Sequence, residues 1–127
     1  MQGIYITPIF SMEDVIDAVP PQVPIPIAKL DMQGYDFQAI SSVKDRAKLH
    51  RLVNLETEVY TGSTQTYKDT TNHFCTQWLP HMTGMGMRCT RITTAHQGVK
   101  AIEDSDCGHY CQNDNKNAEA DAFWAPV

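Results

Sequence analysis

The sequence predicts an α/β domain on a mixed sheet, with parallel strands first and an antiparallel hairpin at the C-terminal end. Two observations carry this. Segments of strand-like alternation and of helix-like spacing follow one another as strand, helix, strand, helix, and the last two strand-like segments stand adjacent. Strands joined by helices pair in parallel, and neighbouring strands close antiparallel. At 127 residues, 42% hydrophobic and 20% charged, the chain has room for one core and is read as a single domain over residues 1–127.

The elements follow in order. "YITPIFSMEDVIDAV" begins extended; Ser11 then has the character of an N-cap, with Asp14 at capping-box spacing, so a short helix is expected near 12–18. Pro20, Pro21, Pro24 and Pro26 exclude helix from the next segment, and two of them border the strand "IAKLDM". Past Gly34, apolar Phe37, Ile40 and Val43 recur near every third residue, predicting a helix in two pieces to about His50. In "RLVNLETEVY", Leu52, Asn54, Glu56 and Glu58 alternate with Val53, Leu55, Thr57 and Val59, which is a second strand. "TGSTQTY" is loop-like. From Asp69 or Thr70 a helix is expected, with Phe74, Trp78 and Met82 on one face and a break or kink near its end at Pro80. "MRCTRITTA" is a third strand, the polar stretch from His96 to Asn117 a long excursion, and "EADAFWAP" a closing strand.

Charge and composition exclude some classes of function. The net charge of -5 and scattered basic residues argue against a nucleic-acid surface. No apolar run approaches the roughly 18 to 20 residues that span a bilayer, and "MQGIYITPIF" lacks the basic and long apolar regions of a secretory signal, so a cytosolic location is expected. The four cysteines are too few for a disulfide scaffold, and a reduced state is expected.

One stretch raises the question of a site. "IPIAKLDMQGYDFQAI" ends a strand on a charge and a glycine, and the carboxyl ends of parallel strands are where α/β sheets hold ligands. Lys29, Asp31, Gly34 and the following Tyr35, Asp36 and Phe37 resemble the Lys-hydrophobic-Asp-x-x-Gly motif of the FkbM-type methyltransferases, enzymes of Rossmann-like fold that use S-adenosylmethionine. "LETEVY", with Glu58 and Val59, looks like the next strand of that family. "YKDTTNHFCTQWLPHMTGMGMRC" and "EADAFWAP" resemble its following helix, turn and closing strand. The resemblance runs from about Ile6 to Trp124 and is weakest over His96 to Asn117.

What the resemblance implies is a partial Rossmann-like methyltransferase fold. The family order is similar to 3-2-1-4-5-7-6 with the last strand antiparallel, and this chain would supply the fourth to seventh strands. It implies S-adenosylmethionine as methyl donor and an oxygen of a small molecule or sugar as acceptor. The departure is the glycine-rich turn of the family's first half: no G-x-G spacing occurs before Asp31. The chain is therefore expected to be a fragment completed by a missing N-terminal half, a homo-oligomer, or a non-catalytic half-domain that binds a partner through an open strand edge.

Asp31 is the candidate catalytic residue, either as general base or as one ligand of a divalent cation that acidifies the acceptor hydroxyl; the alternative is a helix cap near the Gly34 turn. Lys29 and Glu58 are candidate substrate-binding residues, or else a snorkelling lysine and a solvated carboxylate. No cofactor-binding residue is assigned. Cys107, His109 and Cys111, with His96 or Cys89, lack the paired spacing of common zinc modules; metal ligation, a loop disulfide and plain loop residues all stay open, and no metal site is assigned. Cys75 is read as a small buried hydrophobe.

Overall fold

The computed structural model describes residues 3–62, 69–93, 107–113 and 118–127. The polar loop at 63–68, the parts of the excursion at 94–106 and 114–117, and His96 lie outside the described residues, as does the His109 side chain.

Helix α1 (Met12–Asp17) starts where the capping box places it. Ser11 Oγ accepts the Asp14 N–H at 3.2 Å, and the Asp14 carboxylate accepts the Ser11 N–H at 2.9 Å. Its far end is held by Arg51, whose guanidinium donates to the carbonyls of Ile16, Val19, Pro20 and Val23 at 2.7–3.0 Å. Ile16 O lies in the last turn of the helix and the other three carbonyls in the segment after it, so the guanidinium ties the helix end to the proline-bearing stretch.

Strand β1 (Ala28–Leu30) is shorter than the expected 27–32. The prolines explain its ragged beginning: Ile25, between Pro24 and Pro26, pairs with Leu52, and the ladder resumes with the Ala28 N–H on Asn54 O at 2.9 Å. The two-piece helix appears as α2 (Asp36–Ser41) and α3 (Arg46–Leu49). Between them the Glu13 carboxylate accepts the Lys44 N–H at 2.8 Å, and Asp45 caps α3 through the Ala47 N–H at 2.8 Å.

Strand β2 (Leu55–Thr61) pairs in parallel with β1, Ala28 opposite Leu55. The helix expected from Asp69 or Thr70 begins later. Asp69 has φ +60°, outside the right-handed helical region, and Asn72 and His73 instead run beside β2, with the Tyr60 N–H donating to Asn72 O at 2.8 Å. A π turn (Phe74–Trp78) then leads into α4 (Leu79–Gly84), so Pro80 stands in the first turn of α4 and not at a break near its end. The wide turn accommodates a residue that has no N–H to give the preceding turn.

Strand β3 (Met87–Thr93) and β4 (Ala118–Pro126) complete a sheet of order β1-β2-β4-β3. β4 is antiparallel to both β2 and β3 and lies between them. The architecture is thus α/β with a four-stranded mixed sheet. Odd residues of β2 and even residues of β4 form the covered face, where Leu55, Val59, Ala120, Ala122 and Trp124 are buried. Trp78 stacks on Trp124 with centroids 5.9 Å apart, and the Trp124 indole donates to Thr57 Oγ1 at 3.0 Å. No helix among the described residues is long and apolar enough to cross a membrane.

The cysteines correct the sequence reading twice. "CGHYC" opens a helix, α5 (Cys107–Asn113), rather than an irregular loop. All four cysteines are oxidised, Cys75 to Cys111 and Cys89 to Cys107. Cys75 is therefore a half-buried cross-link on the π turn and not a free hydrophobe. The pairing was hidden because partners 36 and 18 residues apart meet only once α5 lies against the π turn and β3.

Candidate functional site at the carboxyl ends of β1 and β2

Asp31 follows the last residue of β1, where the chain leaves the sheet, and is exposed. The turn after it is tight: Gln33 has φ +52° and Gly34 φ +90°. Glycine is required at 34 for space as well as backbone, because a Cβ there would lie 2.5 Å from Tyr60 Oη and 2.7 Å from Thr70 Oγ1.

Asp36 closes this turn. It is fully buried, and its two carboxylate oxygens accept the Met32 N–H at 3.0 Å and the Glu58 N–H at 3.3 Å. Burial pushes its carboxyl up from the ordinary range, against the pull of these backbone donors. The sequence offered Asp36 only as a member of the motif; its reach to β2 becomes visible when the strand is in place.

Asn72 extends the same frame. Its side-chain nitrogen donates to Glu58 O at 2.7 Å, and its oxygen accepts from the Phe37 N–H at 3.1 Å and the Trp78 indole at 2.8 Å. Asp36 and Asn72 thus occupy the edge of β2 where β1 has ended, and every polar atom of the Asn72 side chain is engaged in burial.

Glu58 is the residue this frame presents. Its side chain is on the less covered sheet face, opposite Asp121, with Glu119 one cross-strand pair further along opposite Tyr60. Partial burial, then the carboxylates of Glu119, Asp31, Asp36 and Asp121, push its carboxyl up to about 7. Glu58 Oε1 and Glu119 Oε1 are buried atoms with no hydrogen-bond partner among the described residues. A carboxyl titrating near neutrality can accept and return a proton.

The Lys29 ammonium is 3.1 Å from Glu56 Oε1 and 59% exposed, and that hydrogen bond, with the more distant Asp121 and Asp31 carboxylates, raises its proton affinity. Asp31 thus lies within electrostatic reach of both Glu58 and Lys29, while the ion pair that Lys29 makes is with Glu56 and is solvated. Glu119 and Asp121 were missed by sequence reading, although "AEADAFWAP" alternates acids and Phe123 against alanines and Trp124, the signature of one open and one covered face.

A groove of about 490 Å³ lies on the same sheet face between Ile27, Glu56, Arg91 and Phe123, with the Arg91 guanidinium 4.0 Å from the Phe123 ring centre. It sits where β1 and β2 begin, away from Asp31. Among the described residues no group of three His, Cys, Asp or Glu side chains is arranged to hold a metal ion.

No family model, curated protein or solved structure matches the chain. The functional reading therefore stands on the motif, the topology and the carboxylates at the strand ends.

Proposed function

We propose that this chain is the C-terminal part of an S-adenosylmethionine-dependent methyltransferase of the FkbM type, acting on an oxygen of a small molecule or sugar. The observation that carries the reading is Asp31 at the end of β1, beside the Gly34 turn and within the electrostatic reach of Glu58. The order β1-β2-β4-β3, with β4 antiparallel, supports it as well, since it coincides with the 4-5-7-6 portion of the family order.

The residues present suit the methyl donor in one respect. Ribose hydroxyls and a sulfonium cation call for carboxylate acceptors, and the orphaned oxygens of Glu119 and of Glu58 in its ionised form offer them. These two carboxylates are the residues that would hold it. When bound, S-adenosylmethionine supplies an electrophilic methyl on a positively charged sulfur. The chain's own contribution is on the acceptor side: Asp31, exposed just past the end of β1, orients the hydroxyl and takes its proton, while the Asp36–Asn72 frame fixes where Glu58 stands.

The test is methyl transfer from isotope-labelled S-adenosylmethionine to a panel of sugar and small-molecule hydroxyls, comparing the chain with Asp31→Asn. Labelled ether product lost in the variant supports the reading; equal turnover sinks the role of Asp31.

A second reading is a non-catalytic half-domain that binds a partner along its open edge. It is favoured by the apolar segment before α1, in which Ile4, Ile6 and Ile9 are each more than 90% exposed, and by β1 standing at the end of the sheet. A folded chain that associates with a partner and shows no affinity for the methyl donor would select it.

A further inference from the structure

The proposed function makes no use of α5, whose attachment to the rest of the molecule is largely covalent. The helix has seven residues, too few to hold helical structure alone. Its inward stripe is Cys107, Tyr110 and Cys111, at helical spacing i, i+3, i+4. Tyr110 is 3% exposed and meets Phe74 edge-on, with centroids 6.1 Å apart. The other two members of the stripe are cross-linked: Cys111 to Cys75 on the π turn, and Cys107 to Cys89 on β3, with Cα separations of 5.7 and 6.0 Å.

Cys107 and Tyr110 are the members of the buried core that α5 supplies; Ile16, Ile40, Leu49, Leu52, Leu55, Val59 and Met82, from elsewhere in the chain, fill most of the remainder with Phe74, Trp78 and Trp124. Asn72 bonds to β2, α2 and Trp78. One tyrosine and two cysteine side chains set against the entropy of ordering seven residues is a poor balance for a free segment, and it becomes favourable when two covalent bonds hold the segment in place.

We propose that α5 is a redox-conditional clamp: the Cys75–Cys111 and Cys89–Cys107 bonds dock it against the π turn and β3, and a dithiol reductant releases it while the sheet stays folded. Opening each bond consumes two electrons and two protons from the dithiol. The S–S bond breaks, two protein thiols form, and the reductant leaves as its own disulfide. The docked form belongs to an oxidising environment, where such bonds persist, and its exchange partner is a protein or small-molecule thiol–disulfide couple. Release uncovers the Phe74 edge that Tyr110 shields.

The test has two parts on the whole chain, purified from an oxidising host. Peptide mapping without reductant is expected to recover the 75–111 and 89–107 linked pairs; free thiols or another pairing in the folded chain would overturn the proposal. Amide hydrogen exchange before and after dithiothreitol is expected to show exchange across 107–113 rising by at least about tenfold, with β2 and β4 still protected. Unchanged protection of 107–113 after full reduction overturns it, and so does loss of protection through the whole sheet. Because the reductant acts on the native sequence, the result does not depend on whether cysteine variants fold.

Discussion

The carboxylate of Asp36 accepts the backbone N–H of Glu58 at 3.3 Å, on the edge of β2 just beyond the end of β1. A side chain on the turn after one strand thereby completes the pairing of the next, and Glu58 is fixed relative to Asp31 by this contact. Removing it leaves the part-buried N–H groups of Met32 and Glu58 without this acceptor and empties a fully buried side-chain position. Asp36→Ala is expected to cost about 2–4 kcal/mol, and chemical denaturation of variant and parent measures it.

Gly34 makes a related prediction. Its φ of +90° and the nearness of Tyr60 Oη and Thr70 Oγ1 make Gly34→Ala destabilising by about 2–3 kcal/mol. Removing the hydroxyl through Tyr60→Phe gives back part of the loss and leaves the backbone strain. A double-mutant cycle on thermal melts reads both terms.

The raised carboxyl of Glu58 sets the direction of a pH effect. Its folded-state proton affinity, about 7, exceeds the ordinary 4.5, so the folded chain holds the proton more tightly than the unfolded one. The contribution to stability is complete below about 4.5 and is lost as pH rises through about 7. Solvent reaches this carboxyl, so the loss is on the order of 1 kcal/mol and smaller than the shift alone implies. Melting temperature followed from pH 4.5 to 8 is expected to fall in this window, after correction for the other groups, and Glu58→Gln is expected to flatten that fall.

Asp31 behaves differently because it is exposed. Asp31→Asn is expected to leave stability within about 0.5 kcal/mol and to lower methyl transfer by about 100-fold or more, which separates a role in proton handling from one in folding. Parallel denaturation and turnover measurements on one preparation decide it.

Local chemistry was the legible part of the fold. Ser11 and Asp14 announce the start of α1 because a capping box is made within four residues. The alternation of Glu56 and Glu58 against Leu55, Thr57 and Val59 announces β2 and its two faces. Asp31 and Gly34 stood out by their place after a strand, and β1 does end just before Asp31. What stayed hidden depends on register across the sheet: Glu119 and Asp121 reach Glu58 because β4 inserts antiparallel between β2 and β3. Asp69 is similar, since its side chain suggests a helix start while its φ of +60° is imposed by the segment that leads to Asn72. The disulfides are the extreme case, as no local pattern tells Cys75 that its partner is Cys111.

Calorimetric titration of the chain with S-adenosylmethionine, beside a circular dichroism melt, asks whether the carboxylates at the ends of β1 and β2 serve methyl transfer. Saturable binding by a cooperatively melting chain, weakened in Glu58→Gln, is expected. No heat of binding from a chain that melts cooperatively would contradict a donor site on these carboxylates, leaving a fragment that needs its missing half or the half-domain that binds a partner.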